Sequence, residues 1–512
     1  MEKWAVLLCS FFICNISFGQ GTEKEAKEFY NKANYPKAIE IYTRLLEKDS
    51  MNYGRNYKTG VSYLRSNIDK TKAIRYFERA MLSYQRKPAV FYNLARAYHL
   101  NNQFDKAIEM YNMYNVEDAF GKKRVETEKL IESCYYAREL IKLPRPVKFI
   151  NLGPMVNSPF PDYHPHVSKD GTTLVYTSRR SGTPEANGIY PADVMSSQFV
   201  KEKFKKAQSA GSDINSSQNE QAVGLSDDGN TVFISRDEIK GVGNLYWFKR
   251  VKRDFEDGQI VPEIGTSACL SEDGRTMYFA SNRPKGYGGL DLYITRILPD
   301  GKWGIPQNMG PNINTSKDED MPALSTDGNK LYFSSNGYPS MGGFDIYYSA
   351  WDADNSTWSL PHNIGYPINT PDDNHNITFS NDGKFSYVSA LRKEGLGDLD
   401  IYKIEMNTDR PMYSLLRVKV THEGEPTETA EGEPIISARD TIFVSSPEPK
   451  KSRPAMYLPN PNTGYYTIIL QPGRYVMEIS SKNFQKYNEV IFLSEYDYTM
   501  SIQEREIVLR KL

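Results

Sequence analysis

The sequence predicts a multidomain chain: an all-α solenoid, then an all-β propeller of five blades with room for a diverged sixth, then a small β-sandwich. Three observations carry this. A helical phrase recurs three times with a period of 34 to 35 residues, a strand–turn–strand phrase recurs five times between positions 167 and 390, and residues 413–512 return to alternating strands. At 512 residues the chain exceeds one ordinary domain. Its 63 Lys+Arg stand against 64 Asp+Glu, which removes the basic field that nucleic-acid binders use. No DNA or RNA partner is expected.

Residues 1–19 read as a signal peptide, with Lys3 ahead of an apolar run from Trp4 to Ile16 and the small-x-small end Ser17-Phe18-Gly19. The mature chain would begin at Gln20. Leu8 and Ile13 precede Cys9 and Cys14, where a lipid-modified cysteine needs a small residue, so no lipid anchor is expected. No later apolar run has spanning length, and only Cys134 and Cys269 remain, so neither a transmembrane segment nor a disulfide framework is predicted.

In residues 20–146, "AKEFYNKANYPKAIEIY", "GVSYLRSNIDKTKAIRYF" and "ARAYHLNNQFDKAIEMY" align Ala26, Gly60 and Ala95, then Ala38, Ala73 and Ala107, then Tyr42, Phe77 and Tyr111. Small residues let paired helices approach, and the aromatic fills the gap between pairs. The pattern resembles the tetratricopeptide repeat, with one extra residue in the second turn and an amphipathic cap from Val125 to Leu143. That resemblance implies a concave face lined by Lys27, Tyr30, Asn31, Val61, Leu64, Arg65, Arg96, His99 and Leu100, with Tyr57 and Tyr92 beside them. Such a groove, aromatic and cationic, would suit a protein partner offering an acidic peptide.

In residues 147–405 the five phrases place Asp-Gly turns at Gly171, Gly229, Gly274, Gly328 and Gly383, 45 to 58 residues apart. Asp-Gly supplies the positive-φ position of a tight hairpin, and four strands per copy make a propeller blade. After three of the hairpins come "GGLDLY", "GGFDIY" and "LGDLDIY", with Asp291, Asp345 and Asp400 in register; Asn244 and Asp193 stand there in weaker copies. A loop repeated once per module is a module feature, unlike a phosphate cradle, which is one loop joined to a helix. Each aspartate is expected to brace its loop by accepting backbone N–H bonds. Between modules, Trp303, Pro306 and Asn314 match Trp358, Pro361 and Asn369. The stretch between Asp254 and Cys269 is where a further blade would fit. These phrases resemble the WD40-like repeats of TolB-type and Bacteroidetes envelope proteins.

Beyond the linker at 406–412, the turn Gln471-Pro472-Gly473-Arg474 between alternating strands makes a small antiparallel sandwich. Asn462, Gly464, Tyr466, Pro472, Gly473, Tyr475 and Phe484 resemble the carboxypeptidase regulatory-like domain, which has no peptidase chemistry. The whole order is similar to that of OmpA-family envelope proteins of Bacteroidetes, one of them a type IX secretion component, without their OmpA-like domain. The resemblance implies a non-enzymatic periplasmic scaffold at the outer membrane that binds protein partners.

Two features bear on the alternatives, a glycan-binding module or a propeller glycosidase. His164-Pro165-His166 puts two imidazoles on one face of a regular strand, yet no third ligand has convincing spacing. Asp162, Asp213, Asp318 and Asp372 precede inner strands in four modules and would converge on the channel if they were a catalytic set. No catalytic residue, cofactor or metal is predicted.

Overall fold

The computed structural model describes residues 21–118, 121, 123–237, 244–252, 254–261, 265–380, 383–405, 414–429, 435–436, 439–446, 454–471, 473–493 and 502–512. The leader with its cleavage site, the linker at 406–412, Pro472 and the Asn244 side chain lie outside the described residues.

The helices α1 (Glu23–Asn31) and α2 (Tyr35–Lys48), α3 (Tyr53–Leu64) and α4 (Ala73–Met81), and α5 (Ala89–Leu100) and α6 (Phe104–Glu117) pack as successive pairs, and α7 (Arg124–Leu140) packs on α6. Thr22 and Glu25 form a capping box that starts α1. The three aligned columns are where these pairs meet. Ala38, Ala73, Ala107, Tyr42, Phe77 and Tyr111 are all inaccessible to solvent. A Cβ on Gly60 would sit 2.7 Å from the Phe77 ring, so the second pair closes only because that position has no side chain.

Among the described residues, the strands of the central region form five antiparallel sheets with the order inner to outer. The first runs Asp162–Val167, Thr173–Ser178, Asp193–Val200, Lys203–Phe204; the second Glu220–Leu225, Thr231–Arg236, Asn244–Val251, Asp254–Ile260. The third runs Ser267–Leu270, Thr276–Ser281, Asp291–Arg296, Gln307–Asn308; the fourth Glu319–Leu324, Lys330–Ser335, Asp345–Asp352, Thr357–Trp358. The stretch after Asp254 therefore supplies the outer strand of the second sheet and no sixth one. In the fifth sheet, Thr378–Ser380, Phe385–Ala390 and Asp400–Glu405 are completed by β1 (Lys148–Asn151), the first strand of the region. Inner strands touch those of neighbouring sheets, so the sheets stand about one axis as propeller blades. Gly171, Gly229, Gly274, Gly328 and Gly383 take φ of 74°, 69°, 66°, 71° and 80°, as the Asp-Gly hairpins require.

The last region has two sheets, Tyr465–Leu470, Ser414–His422, Ile502–Leu509 and Ala455–Tyr457, Thr441–Ser445, Gly473–Ser480, Tyr487–Leu493. Leu416, Val418, Ile442, Tyr466, Ile468, Met477 and Ile479 share one buried core between them. The expected all-antiparallel arrangement is corrected here: Ser414–His422 pairs in parallel with Ile502–Leu509.

Candidate functional site

The recurring aspartates are built into the blades in one way. Asp291 accepts the backbone N–H of Tyr287 (2.6 Å) and Gly288 (3.0 Å) and the amide of Asn308 (2.7 Å). Asp345 accepts Met341 N–H (2.9 Å) and the Asn363 amide (2.7 Å), and Asp400 accepts Leu396 N–H (2.7 Å) and the Asn151 amide (2.7 Å). All three carboxylates are buried, and burial raises Asp345 to about 7. A second asparagine six residues on clamps the strand: Asn314 accepts Leu292 N–H and donates to Leu292 O, as Asn369 does at Ile346 and Asn157 at Ile401. The loop glycines permit contact with the next blade, since a Cβ on Gly288, Gly342 or Gly397 would lie 2.2, 2.2 or 2.4 Å from the carbonyl of Lys317, Pro371 or Pro159. The amides of Tyr287, Gly288, Met341 and Leu396 in these loops are aimed at protein carboxylates, so this is a brace.

The four acids suggested as a channel set are not equivalent. Asp162 accepts Ser158 N–H (2.6 Å), and its true counterparts are Glu220 on Ser216 N–H (3.1 Å), Glu319 on Thr315 N–H (2.8 Å) and Asn374 on Thr370 N–H (2.7 Å). Asp318 instead accepts Leu290 N–H (2.9 Å), Asp213 offers its carbonyl to Arg236, and Asp372 pairs with Lys70 of the helical region. The strand alternation assumed for His164 and His166 is also broken, because a bulge falls between Tyr163 and His166 with His164 at φ 51°. No group of three metal-ligating side chains occurs among the described residues.

The helical groove is where expectation and structure part most. Lys27, Asn31 and Arg65 are exposed, and Tyr30, Tyr57, Leu64 and Tyr92 are half-buried against the helical core. Val61 and His99 are buried, so they line nothing open. His99 donates its Nε2–H to Met341 O (2.7 Å), and Met341, 0% exposed, sits in the helical core. Arg96, expected free, lies beside Tyr92, Tyr111 and Asp372, and Leu100 is half-buried. Burial next to Arg96 lowers His99 to about 3. Asn67 donates to Asp398 (2.7 Å), and the Arg145 guanidinium donates to Ile364 O (3.0 Å). The distal half of the groove is thus filled by loops of the fourth and fifth blades. The C-terminal region joins the same block: Leu415 and Ile469 enter the helical core, and Asn460 donates to Glu132 (2.6 Å).

No family model matches the chain, and no curated protein matches it. Among solved structures it is similar to TolB from Acinetobacter baumannii, at 13% identity over 54% of this chain and 70% of that one, with a TM-score of 0.32. A structure described as a glycoside hydrolase matches at 10% identity over 55% and 95%, TM-score 0.35, and the WD40 repeats of RRP9 at 7% over 52% and 99%, TM-score 0.30. The propeller is read from the strand pairing, and likenesses at these TM-scores add nothing to it.

Proposed function

We propose that this chain is a non-enzymatic scaffold of an exported envelope compartment, a periplasm bounded by the outer membrane, where it binds protein partners. In this reading the helical pairs are a tetratricopeptide solenoid, the five blades a WD40-like propeller, and the last two sheets a carboxypeptidase regulatory-like sandwich. Type IX secretion or envelope assembly is the setting that the domain order suggests. One observation carries the scaffold over the glycosidase. The buried acids Asp162, Glu220, Glu319, Asp291, Asp345 and Asp400 all accept backbone amides of their own turns, which leaves them placed to hold loops.

The partner surface is narrowed to the proximal half of the groove, Lys27, Tyr30, Asn31, Tyr57, Leu64 and Arg65, because the distal half is occupied. Capture from envelope extracts, read by mass spectrometry, tests this. The wild-type chain is expected to retain a dominant envelope protein that the Lys27→Glu/Arg65→Glu variant loses at unchanged melting temperature. Equal capture by both would remove the groove, and turnover of glycans by the pure protein would remove the scaffold.

A further inference from the structure

A groove of about 680 Å³ opens between the third and fourth blades, a size typical of small-molecule sites. Its walls are aromatic. Tyr278 of the third blade meets Trp358 of the fourth at 6.1 Å and 83°, and Trp358 meets its cross-strand partner Trp351 at 5.3 Å and 65°. The first of these contacts has a packing counterpart, since Phe204 meets Tyr387 at 6.3 Å and 85° where the first blade abuts the fifth. The second has one too, since Phe199 meets its cross-strand partner Phe204 at 5.0 Å and 64°. The fourth blade differs in exposure: Phe199 is half-buried, whereas Trp351 is 40% exposed, an indole held open against Trp358.

The rim is polar. Gln307 and Asn312 bring exposed carboxamides, each both donor and acceptor, which suits hydroxyl groups that are themselves both. Arg296 is the one charged side chain among the described lining residues, and it is exposed. A guanidinium there matches a carboxylate. The groove also lies at the end of the propeller opposite the loops that meet the helical region. It includes Gly328 in the turn between the first two strands of the fourth blade and Ser356 in the hairpin at the same end, whereas the helical region covers the loop around Met341 at the other.

We propose that this groove binds an oligosaccharide bearing a carboxylate, with the exposed Trp351 as the stacking wall, buttressed by buried Trp358, and Arg296 as the anion contact. The proposal goes beyond the scaffold reading and does not depend on it. Tryptophan fluorescence of the full chain, titrated with tetragalacturonate and with neutral cellotetraose, tests it. Saturable quenching by the acidic sugar is expected, with weaker binding of the neutral one. Trp351→Ala should weaken binding at least about tenfold at unchanged melting temperature, the share of one aromatic wall, and Arg296→Gln should bring the acidic sugar down to the neutral one. Absence of saturation by either sugar at millimolar concentration overturns the site, as does binding that Trp351→Ala leaves intact. A proline-rich peptide that quenches where the sugars do not would assign the groove to protein. Equal affinity of both sugars would overturn the role of the carboxylate.

Discussion

The loop before Asp291 and the loop before Asp345 are the same object in two situations. Each has two glycines against the next blade and a carboxylate holding its amides. At the third blade the tip residue, Tyr287, is 52% exposed; at the fourth, Met341 is fully buried in the helical core, with Asp345 on its N–H and His99 on its carbonyl. The brace is constant and the tip is free to vary. A repeated module can therefore acquire an interface at one copy by changing a residue that its own folding does not use.

The largest effect that would test this contrast is at the tips. Met341→Ala empties a site in the helical core and should cost about 2–5 kcal/mol, while Tyr287→Ala should stay within about 0.5 kcal/mol. Denaturant unfolding measures both, and equal losses would mean that the fourth loop is no more committed than the third.

The next effect is expected from pH. The unfolded imidazole takes its proton near 6.5, whereas buried His99 holds out to about 3. Its contribution to stability is full above 6.5 and is lost as pH falls toward 3. Asp345 runs the other way: folded at about 7 against 3.8 for the free carboxyl, it contributes fully below 3.8 and loses that contribution as pH rises through 7. Asp345→Asn should thus gain on the wild type in melting temperature above pH 7 and lose the gain below pH 4. His99→Gln should close its deficit as the solution is acidified. Parallel melting curves across this range would mean that neither group's pKa differs between the folded and the unfolded state.

The smallest effect is expected at Arg65→Glu. Its side chain is exposed and hydrogen-bonds the Tyr35 hydroxyl at 3.4 Å beside Tyr30 and Tyr57, so stability should change by no more than about 0.5 kcal/mol. Arg96→Glu, facing Asp372, should instead loosen the helical region from the propeller, seen as faster amide exchange around Met341. Indistinguishable behaviour of the two variants would erase the distinction between the open and the occupied half of the groove.

The modules are legible in the sequence because each must rebuild the same turn, and a turn with positive φ admits few residues. Gly171 to Gly383 are such positions. The closing strand is written more faintly. "NLGPMVN" at 151–157 has the spacing of "NMGPNIN" and "NIGYPIN", which places β1 among the outer strands. Acids were poorer guides, because turns are rich in them: Asp318 and Asp162 look alike in sequence and hold different loops. Docking leaves no periodic trace at all. Met341, Tyr287 and Leu396 occupy one loop position, and nothing local marks the first as the one that reaches His99, 242 positions away.

The completion of the fifth blade by β1 also sets an order in time. Lys148 pairs with Glu405, so the strand enters the folding compartment 257 residues before its partner. Until then the four residues of β1 have no edge to join. The helical pairs preceding them lack Met341, Leu415 and Ile469 from their core. Closing so long a loop adds little to the entropy cost per residue but delays the step itself. Early helices would wait, partly apolar on one face, while the blades are made. The ring and the helical core would then close late, within the span of the last two blades and the C-terminal sheets. A chain stalled before residue 405 would be an open ring with an unpaired edge, the form in which this protein is most exposed to aggregation and to chaperones.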